Sequence, residues 1–448
     1  MDTQLFILFF IGFGLFYLIV GLLVSRGIKN VKDYFLAGRD LGLGYLTFTL
    51  IATQVGGGML LGSSEQSYQV GYFGVFYTLG IALGFLFLGL GFAPKLRSFN
   101  VSTTAQLFET KYGSVFLKKI ASLLSIVTLF GILGAQVIGI RGVLLGLGID
   151  NNFAFILFWL FIIIYTMIGG LRAVAVTDFF QIIFILIIFG GVFLYSLSLE
   201  PVSFFSINNL VGIQKPFSSI KTDFFALFPI VFNPMMFAFV EQDLAQRFFA
   251  AKTKNIAASS ALLASIFMVL FSCVPIYFGM KAKLLGLNIP SGANPLVVFL
   301  NYLSSGWFIS LVVCALAAAV TSTSDSLLCA ISSNICQDFN LDFWGVRNKL
   351  RASQIITFIV GLLALLVGYF CNDIIGLLVQ SYGLSISSLF VPVFFCFFKK
   401  KLNKKAAFLS MVLGGMSFLL FQNIYLPIPK ELATLVISLL GYFVGECF

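Results

Sequence analysis

Histidine is absent from the 448 residues, and charged side chains make up only 10% of them. Without imidazole there is no histidine proton relay and no histidine metal site. The cysteines at 273, 314, 329, 336, 371, 396 and 447 lie in or at the ends of apolar runs, without metal-type spacing. They read as small apolar residues and not as disulfides. No loop is long enough for a soluble domain, the longest running from about 198 to 223, and no GxxxxGK[ST] phosphate loop occurs. A nucleotide-driven pump and a sensor with an output domain are therefore excluded. No nucleophile stands with a base, so no enzyme activity is expected.

What is present is apolar surface. The chain is 60% hydrophobic, carries 55 Phe and has a mean hydropathy of +1.05. Apolar runs of about 20 residues recur along its whole length, the signature of membrane spans. They predict an all-α polytopic protein with about 13 transmembrane helices. The expected ranges are 4–25, 43–66, 72–94, 119–147, 151–171, 173–197, 224–248, 256–280, 306–336, 353–371, 374–397, 406–424 and 431–447. The first run lacks a basic start and a small-residue cleavage site, so it is expected to be a span and not a signal peptide.

The net charge of +10 is a topology signal and implies no nucleic acid. Of the 27 Lys and Arg, 21 fall on one set of alternate loops, including those near Arg26–Arg39, Arg247–Lys254 and Lys399–Lys405. Only Arg141, Lys215, Lys221, Lys281, Lys283 and Lys430 fall on the other set. The positive-inside rule makes the first side cytoplasmic. The N-terminus is then outside and the C-terminus inside the cell's inner (plasma) membrane. The lipid bilayer is the expected partner, and no obligate protein partner is evident.

Two spans carry helix breakers. Gly56, Gly57 and Gly58 interrupt "IATQVGGGMLLGSS", and Asn233–Pro234 interrupts "FPIVFNPMMFAFVEQ". Glycine loosens a helix and proline removes a backbone hydrogen bond. In lipid, freed backbone is tolerated only where it is buried or lines a cavity. The third span of each following set of five, 119–147 and 306–336, is unusually long. Spans 2–6 and 7–11 thus read as two copies of a five-helix plan, the second inverted because five is odd. The chain divides into an extra N-terminal helix and loop (1–42), a first repeat (43–197), a second repeat (224–397) and C-terminal helices (398–448). All belong to one transmembrane domain, residues 1–448. Interrupted helices in matching positions of two halves point to a transport site near the midplane.

Acids inside spans are costly and functional by default. Asp178 and Asp325 are two, and Glu241 follows the second break. Around Asp325 the segment "AAAVTSTSDSLLCA" (317–330) is crowded with hydroxyls. Ala319, Ser322 and Thr323 share one helical face at i, i+3 and i+4. Two hydroxyls and a freed carbonyl beside an unwound helix suit a hard monovalent cation such as sodium, with selectivity from oxygen number and cavity size. Asp178 and Asp325 are candidates for a second ion or a polar network.

These segments resemble the sodium/solute symporters, the family of the bacterial sodium/proline and sodium/galactose porters. The resemblance covers about residues 30–400. It rests on "DYFLAGRDLG" (33–42), "LIATQVGGGMLLG" (50–62), "IGGLRAVAVTDFFQ" (168–181), "EQDLAQRFFAAKT" (241–253) and "AAAVTSTSDSLLCAISSNICQDF" (317–339). It implies a leucine-transporter-type 5+5 inverted repeat with one extra N-terminal helix. It further implies Na+ held by the carbonyls of Ala52, Val55 and Ala319 and the hydroxyls of Ser322 and Thr323. A second sodium, as in some relatives, would use Asp178 with Ser322, Asp325 and Ser326.

The solute positions differ from the better-known members. Sugar porters carry Asn at the positions of Gln54 and Glu241, and proline porters carry Asp at that of Gln54. Glu241 is expected to pair with a substrate amine, beside Gln54 and a wall formed by Gly56, Gly57 and Gly58. The expected function is sodium-coupled symport of an amino acid or other amine-bearing metabolite by alternating access. Proton coupling through Asp178 and Asp325, and a sugar or carboxylate solute, are the alternatives.

Overall fold

The computed structural model describes residues 3–149, 151–199, 224–303, 307–339, 348–370, 373–424 and 426–448. Lys215, Lys221, Arg347, Cys371 and nearly all of the 198–223 loop lie outside the described residues. The described chain is helical, apart from an isolated bridge between Leu41 and Ala251. The helices that frame the site are α1 (Thr3–Ser25), α2 (Leu43–Gln54), α3 (Ser63–Val70), α4 (Val75–Phe87), α5 (Val115–Gly146) and α6 (Asn152–Ser198). They continue with α7 (Phe224–Phe237), α8 (Gln242–Ala250), α9 (Lys254–Phe271), α10 (Cys273–Leu284) and α11 (Trp307–Asp338). The last four are α12 (Lys349–Phe370), α13 (Ile374–Ser385), α14 (Lys404–Leu420) and α15 (Lys430–Glu446). An apolar solvent leaves no partner for free N–H and C=O groups, so such runs close their hydrogen bonds internally as helices.

Among the described residues, eight helical runs are long and apolar enough to cross a membrane, fewer than the thirteen expected spans. The difference has identifiable sources. Broken and short helices fail on length: α2 has 12 residues, α7 has 14 and α15 has 17. Other expected pairs run together. The ranges 151–171 and 173–197 form the single 47-residue α6, about 70 Å of helix against a hydrocarbon core of about 30 Å. Gly170 divides it, with φ 52° and ψ −166°. A Cβ there would sit 2.6 Å from the Tyr34 backbone oxygen, so glycine is required by both torsion and space.

The second break is displaced from its expected place. Pro229 and Pro234 both lie inside α7, which continues to Phe237. The chain unwinds one turn later, where Val240 N–H and Glu241 N–H both bond to the Phe237 carbonyl, at 2.9 Å each. Proline removes its own amide from the bond to the preceding turn, yet flanking turns carry the helix past it.

The broken helices lie at the centre. Helix α11 packs against α5, α6 and α1. Helix α11 is mostly buried and α12 mostly exposed, so α11 is an inner helix and α12 presents apolar residues to lipid. Leu41 N–H donates to the Ala250 carbonyl at 3.1 Å, and Lys252 N–H to the Leu41 carbonyl at 2.9 Å. The segments 33–42 and 241–253 are thereby tied together, with Gln246 Nε2 donating to the Phe35 carbonyl at 2.6 Å. The six described cysteines are unpaired.

Candidate functional site

Helix α2 ends at Gln54, and Val55 leaves the helical region with ψ 62°. The Gly56 amide turns back to the Gln54 carbonyl at 2.9 Å, and the Gly57 amide donates to Gln136 Oε1 at 2.8 Å. In an uninterrupted helix these amides would have bonded to the carbonyls of Ala52 and Thr53. Both carbonyls are freed, and both meet α11. Ser322 Oγ lies 2.9 Å from the Ala52 carbonyl and 2.9 Å from the Ala319 carbonyl. Thr323 Oγ1 lies 2.8 Å from the Thr53 carbonyl and 3.4 Å from that of Ala319. Each hydroxyl has one proton to donate and lone pairs left over.

Five neutral oxygens therefore crowd one buried spot. Ala52, Ala319 and Ser322 are fully buried, and Thr323 is 7% exposed. This donor set fits a sodium ion: hard oxygens, one positive charge, no carboxylate. The contact is close because residue 56 is glycine. A Cβ at Gly56 would stand 1.9 Å from Thr323 Oγ1 and 3.3 Å from the Ala319 carbonyl. Four of the five expected ligands (Ala52, Ala319, Ser322 and Thr323) are brought together, and Val55 is buried at the unwound point beside them. The Thr53 carbonyl is an oxygen that the sequence reading missed. A break that frees one carbonyl frees its neighbour, and that was the available signal.

A charged network lies against this spot. Arg247, Asp178 and Asp325 are fully buried. Arg247 Nε donates to Thr49 Oγ1 at 3.0 Å and Nη1 to the Asp243 carbonyl at 3.0 Å, while Nη2 reaches Ser326 Oγ. Nη2 also stands 3.6 Å from Asp178 Oδ2, which accepts from Thr49 Oγ1. Ser326 Oγ in turn lies 2.6 Å from the Ser322 carbonyl and 3.2 Å from Thr53 Oγ1. Ser326 Oγ also lies 3.4 Å from Asp325 Oδ1, so Asp178, Asp325 and Ser326 are neighbours around Arg247. Arg247 is a correction: counted above among loop charges, it sits in the core. Helix α8 turns inward after the break and buries all nine of its residues. An unpaired guanidinium there would cost several kcal/mol, so it is held by an acid and three oxygens. Asp178 Oδ1 and Asp325 Oδ2 keep no hydrogen-bond partner among the described residues.

Glu241 stands just before α8 at its N-cap, yet its side chain makes no capping bond. Its carboxylate lies beside Gln54 and Asp243. Tyr77 and Tyr382 join hydroxyl to hydroxyl at 3.0 Å near it, and Phe237 stacks on Tyr382 with centroids 4.5 Å apart. The three glycines are not an open wall. Cβ atoms on Gly57 and Gly58 would meet Gln136 Oε1 at 2.8 Å and the Tyr77 hydroxyl at 2.5 Å. These glycines admit close packing and leave only backbone for a solute. Tyr77, Tyr382 and Phe237 were not singled out, because one aromatic looks like another in a chain that is 16% aromatic, and Gln136 was not, because its bond to the Gly57 amide joins residues 79 positions apart.

Comparisons with known proteins point one way. The sequence model of the sodium:solute symporter family matches residues 34–414. High-affinity choline transporter 1 of Caenorhabditis elegans is 27% identical over 402 residues, which is 82% of this chain and 68% of that protein. Among solved structures, a Na+-coupled sialic acid symporter in its substrate-bound outward-open state superposes with a TM-score of 0.80 at 18% identity, covering 99% of this chain and 98% of that one. A nucleobase-cation-symport-1 family transporter, closed around bromovinylhydantoin, gives a TM-score of 0.54 at 17% identity, covering 94% and 96%. Both have the leucine-transporter-type fold. At these identities the structural likeness establishes the fold alone.

Proposed function

The chain belongs to the sodium:solute symporter family, and on that premise we propose that it carries a small amine-bearing organic solute into the cell together with sodium. It is a multi-pass membrane transporter and not an enzyme, with sodium as the coupling ion. The observation that carries the proposal is the meeting of Ser322 and Thr323 with the freed carbonyls of Ala52 and Thr53. We assign the sodium to those oxygens with Ala319 and Val55, and the solute to Glu241, Gln54 and the backbone of Gly56–Gly58. The proposed frame is the thirteen-span one. An extra helix and loop (1–42) precede inverted repeats at 43–197 and 224–397, and C-terminal helices follow at 398–448. The N-terminus is outside and the C-terminus inside the plasma membrane.

Coupling follows from adjacency. Thr53 gives its carbonyl to the sodium spot, and Gln54, the next residue, lies against Glu241. Sodium bound between α2 and α11 favours the arrangement in which the unwound segment also meets the solute. By linkage the solute then favours sodium to the same degree. The carboxylate of Glu241 supplies a counter-charge for an amine. Tyr77, Tyr382 and Phe237 form an aromatic cluster beside Glu241, and aromatic rings attract organic cations. Choline, suggested by the C. elegans relative, is the first solute to try.

The test is uptake into reconstituted vesicles at fixed pH, with sodium or potassium outside. Labelled choline or another small amine should enter only with sodium. Glu241→Gln should abolish that uptake while sodium binding persists. Sodium-independent uptake driven by a pH gradient would replace this reading with proton coupling. A second reading concerns Asp178, Asp325 and Ser326. The unpartnered oxygens Asp178 Oδ1 and Asp325 Oδ2 favour a second cation there, shared with Arg247. Two sodium ions per solute in flux measurements would support it.

A further inference from the structure

Beyond the break of the first broken helix, Glu65 on α3 borders two cavities. One, of about 360 Å³, also touches Arg141 and Asn294. The other, of about 460 Å³, lies between α3, α7, α13 and α15, and its charge is lopsided. Among the described residues, Glu65, Asp373 and Glu431 line it, with Lys430 as the cation. Lys430 is turned to other partners: its Nζ donates to Gln422 Oε1 at 2.9 Å and lies over the Phe418 ring. Glu431 is only 2% exposed, and its Oε2 has no hydrogen-bond partner among the described residues. Asp373 commits one oxygen to the Gly376 amide at the start of α13.

A buried, unpartnered carboxylate oxygen beside two further acids calls for positive charge. The kind of cation is set by geometry. Among the described residues no three acidic, Cys or His groups converge tightly enough to hold a metal ion. The carboxylates are spread around a space of several hundred Å³ instead. A cation whose charge is distributed over a larger body fits such a space.

We propose that this cavity is a capture site for a small organic ammonium, occupied before the solute reaches Glu241. The proposal rests on the amine reading above. The 57–62 segment that leads into α3 meets α13 at its edge, where a Cβ on Gly62 would stand 2.4 Å from Ile375 Cδ1. Passage inward along this edge then requires the Ile375 side chain to move aside. An amine held at Glu65 waits for that step at raised local concentration.

The test uses a thiol placed on the cavity wall at Gln380, which is exposed there. Gln380→Cys is made in a chain in which the exposed Cys273 and Cys447, and Cys371 two residues from Asp373, are serine. A trimethylammonium-bearing methanethiosulfonate should label it faster than the sulfonate-bearing reagent. Tetramethylammonium should slow labelling about fivefold at a few times its Kd, while sodium and potassium at equal ionic strength should not. Glu65→Gln with Glu431→Gln should remove that protection. Glu241→Gln should keep it while losing uptake. Retention of uptake in Glu241→Gln sinks the amine assignment at the central site and leaves the protection result to be judged on its own. Absence of protection by tetramethylammonium overturns the capture site. So does equal protection by sodium, survival of protection without Glu65 and Glu431, or its loss in Glu241→Gln. If Gln380→Cys does not fold, Gln69→Cys on the α3 wall gives the same reading.

Discussion

An alanine at Gly56 would set a methyl carbon 1.9 Å from Thr323 Oγ1, and the hydroxyl would have to leave the spot where it meets the Thr53 carbonyl. Gly56→Ala is therefore expected to abolish sodium-induced thermal stabilisation of the purified protein, although residue 56 offers no side-chain ligand. Ser322→Ala and Thr323→Ala remove one oxygen each. Each should weaken sodium affinity by about tenfold, the scale of one lost hydrogen-bonding partner at roughly 1–2 kcal/mol. Titration of the melting temperature with sodium checks all three; unchanged sodium affinity in both hydroxyl variants would sink the site. The two hydroxyls were legible as a pair because i, i+3 and i+4 share a face. The role of Gly56 was not, since it depends on how closely α11 approaches.

At the scale of the element, the half-helix α8 decides most. Its sequence looks like the charged end of a span, yet it is buried on every side and carries Arg247 to the centre. Arg247→Gln should destabilise the fold by about 3–5 kcal/mol, because the Asp178 carboxylate is left buried without its counter-charge. Asp178→Asn on top of it should restore part of the loss, and thermal unfolding in detergent measures both. Lys252→Ala, which breaks the exposed pair with Asp40, should leave the melting temperature where it was. The same contrast explains the charge count. Lys252 and Arg247 are five residues apart and equally basic on paper, but burial separates their roles. The proline signal behaved similarly: Pro234 marked the right helix, and the unwinding came at Val240 and Glu241.

For the whole molecule the relevant quantity is the driving force. One sodium crossing 100 mV contributes about 2.3 kcal/mol, and a tenfold concentration gradient roughly 1.4 more. A solute without net charge would accumulate several hundredfold at that coupling. A permanent cation such as choline moves its own charge too, and another 2.3 kcal/mol or so raises the limit by about fiftyfold. Measuring the plateau ratio in vesicles at a clamped potential thus reads the number of charges carried per cycle. A plateau that ignores the sodium gradient would contradict symport at the site described.

Local patterns carried the architecture. Hydropathy marks spans because lipid forces every backbone group to bond within its own segment. Glycines and prolines mark breaks because they act on their own turn. The hydroxyl face, the intramembrane acids and the family were therefore readable from one chain. Tertiary structure decided what those patterns could not. The Ser322–Ala52 and Thr323–Thr53 contacts join residues 270 positions apart. The Arg247–Thr49 bond spans 198 positions, and the Tyr77–Tyr382 pair 305. Which carbonyl accepts, which arginine is buried and which tyrosines flank Glu241 depend on helix approach and rotation. No local periodicity encodes those, because many side chains satisfy the same lipid-facing or core-facing rule and only packing chooses among them.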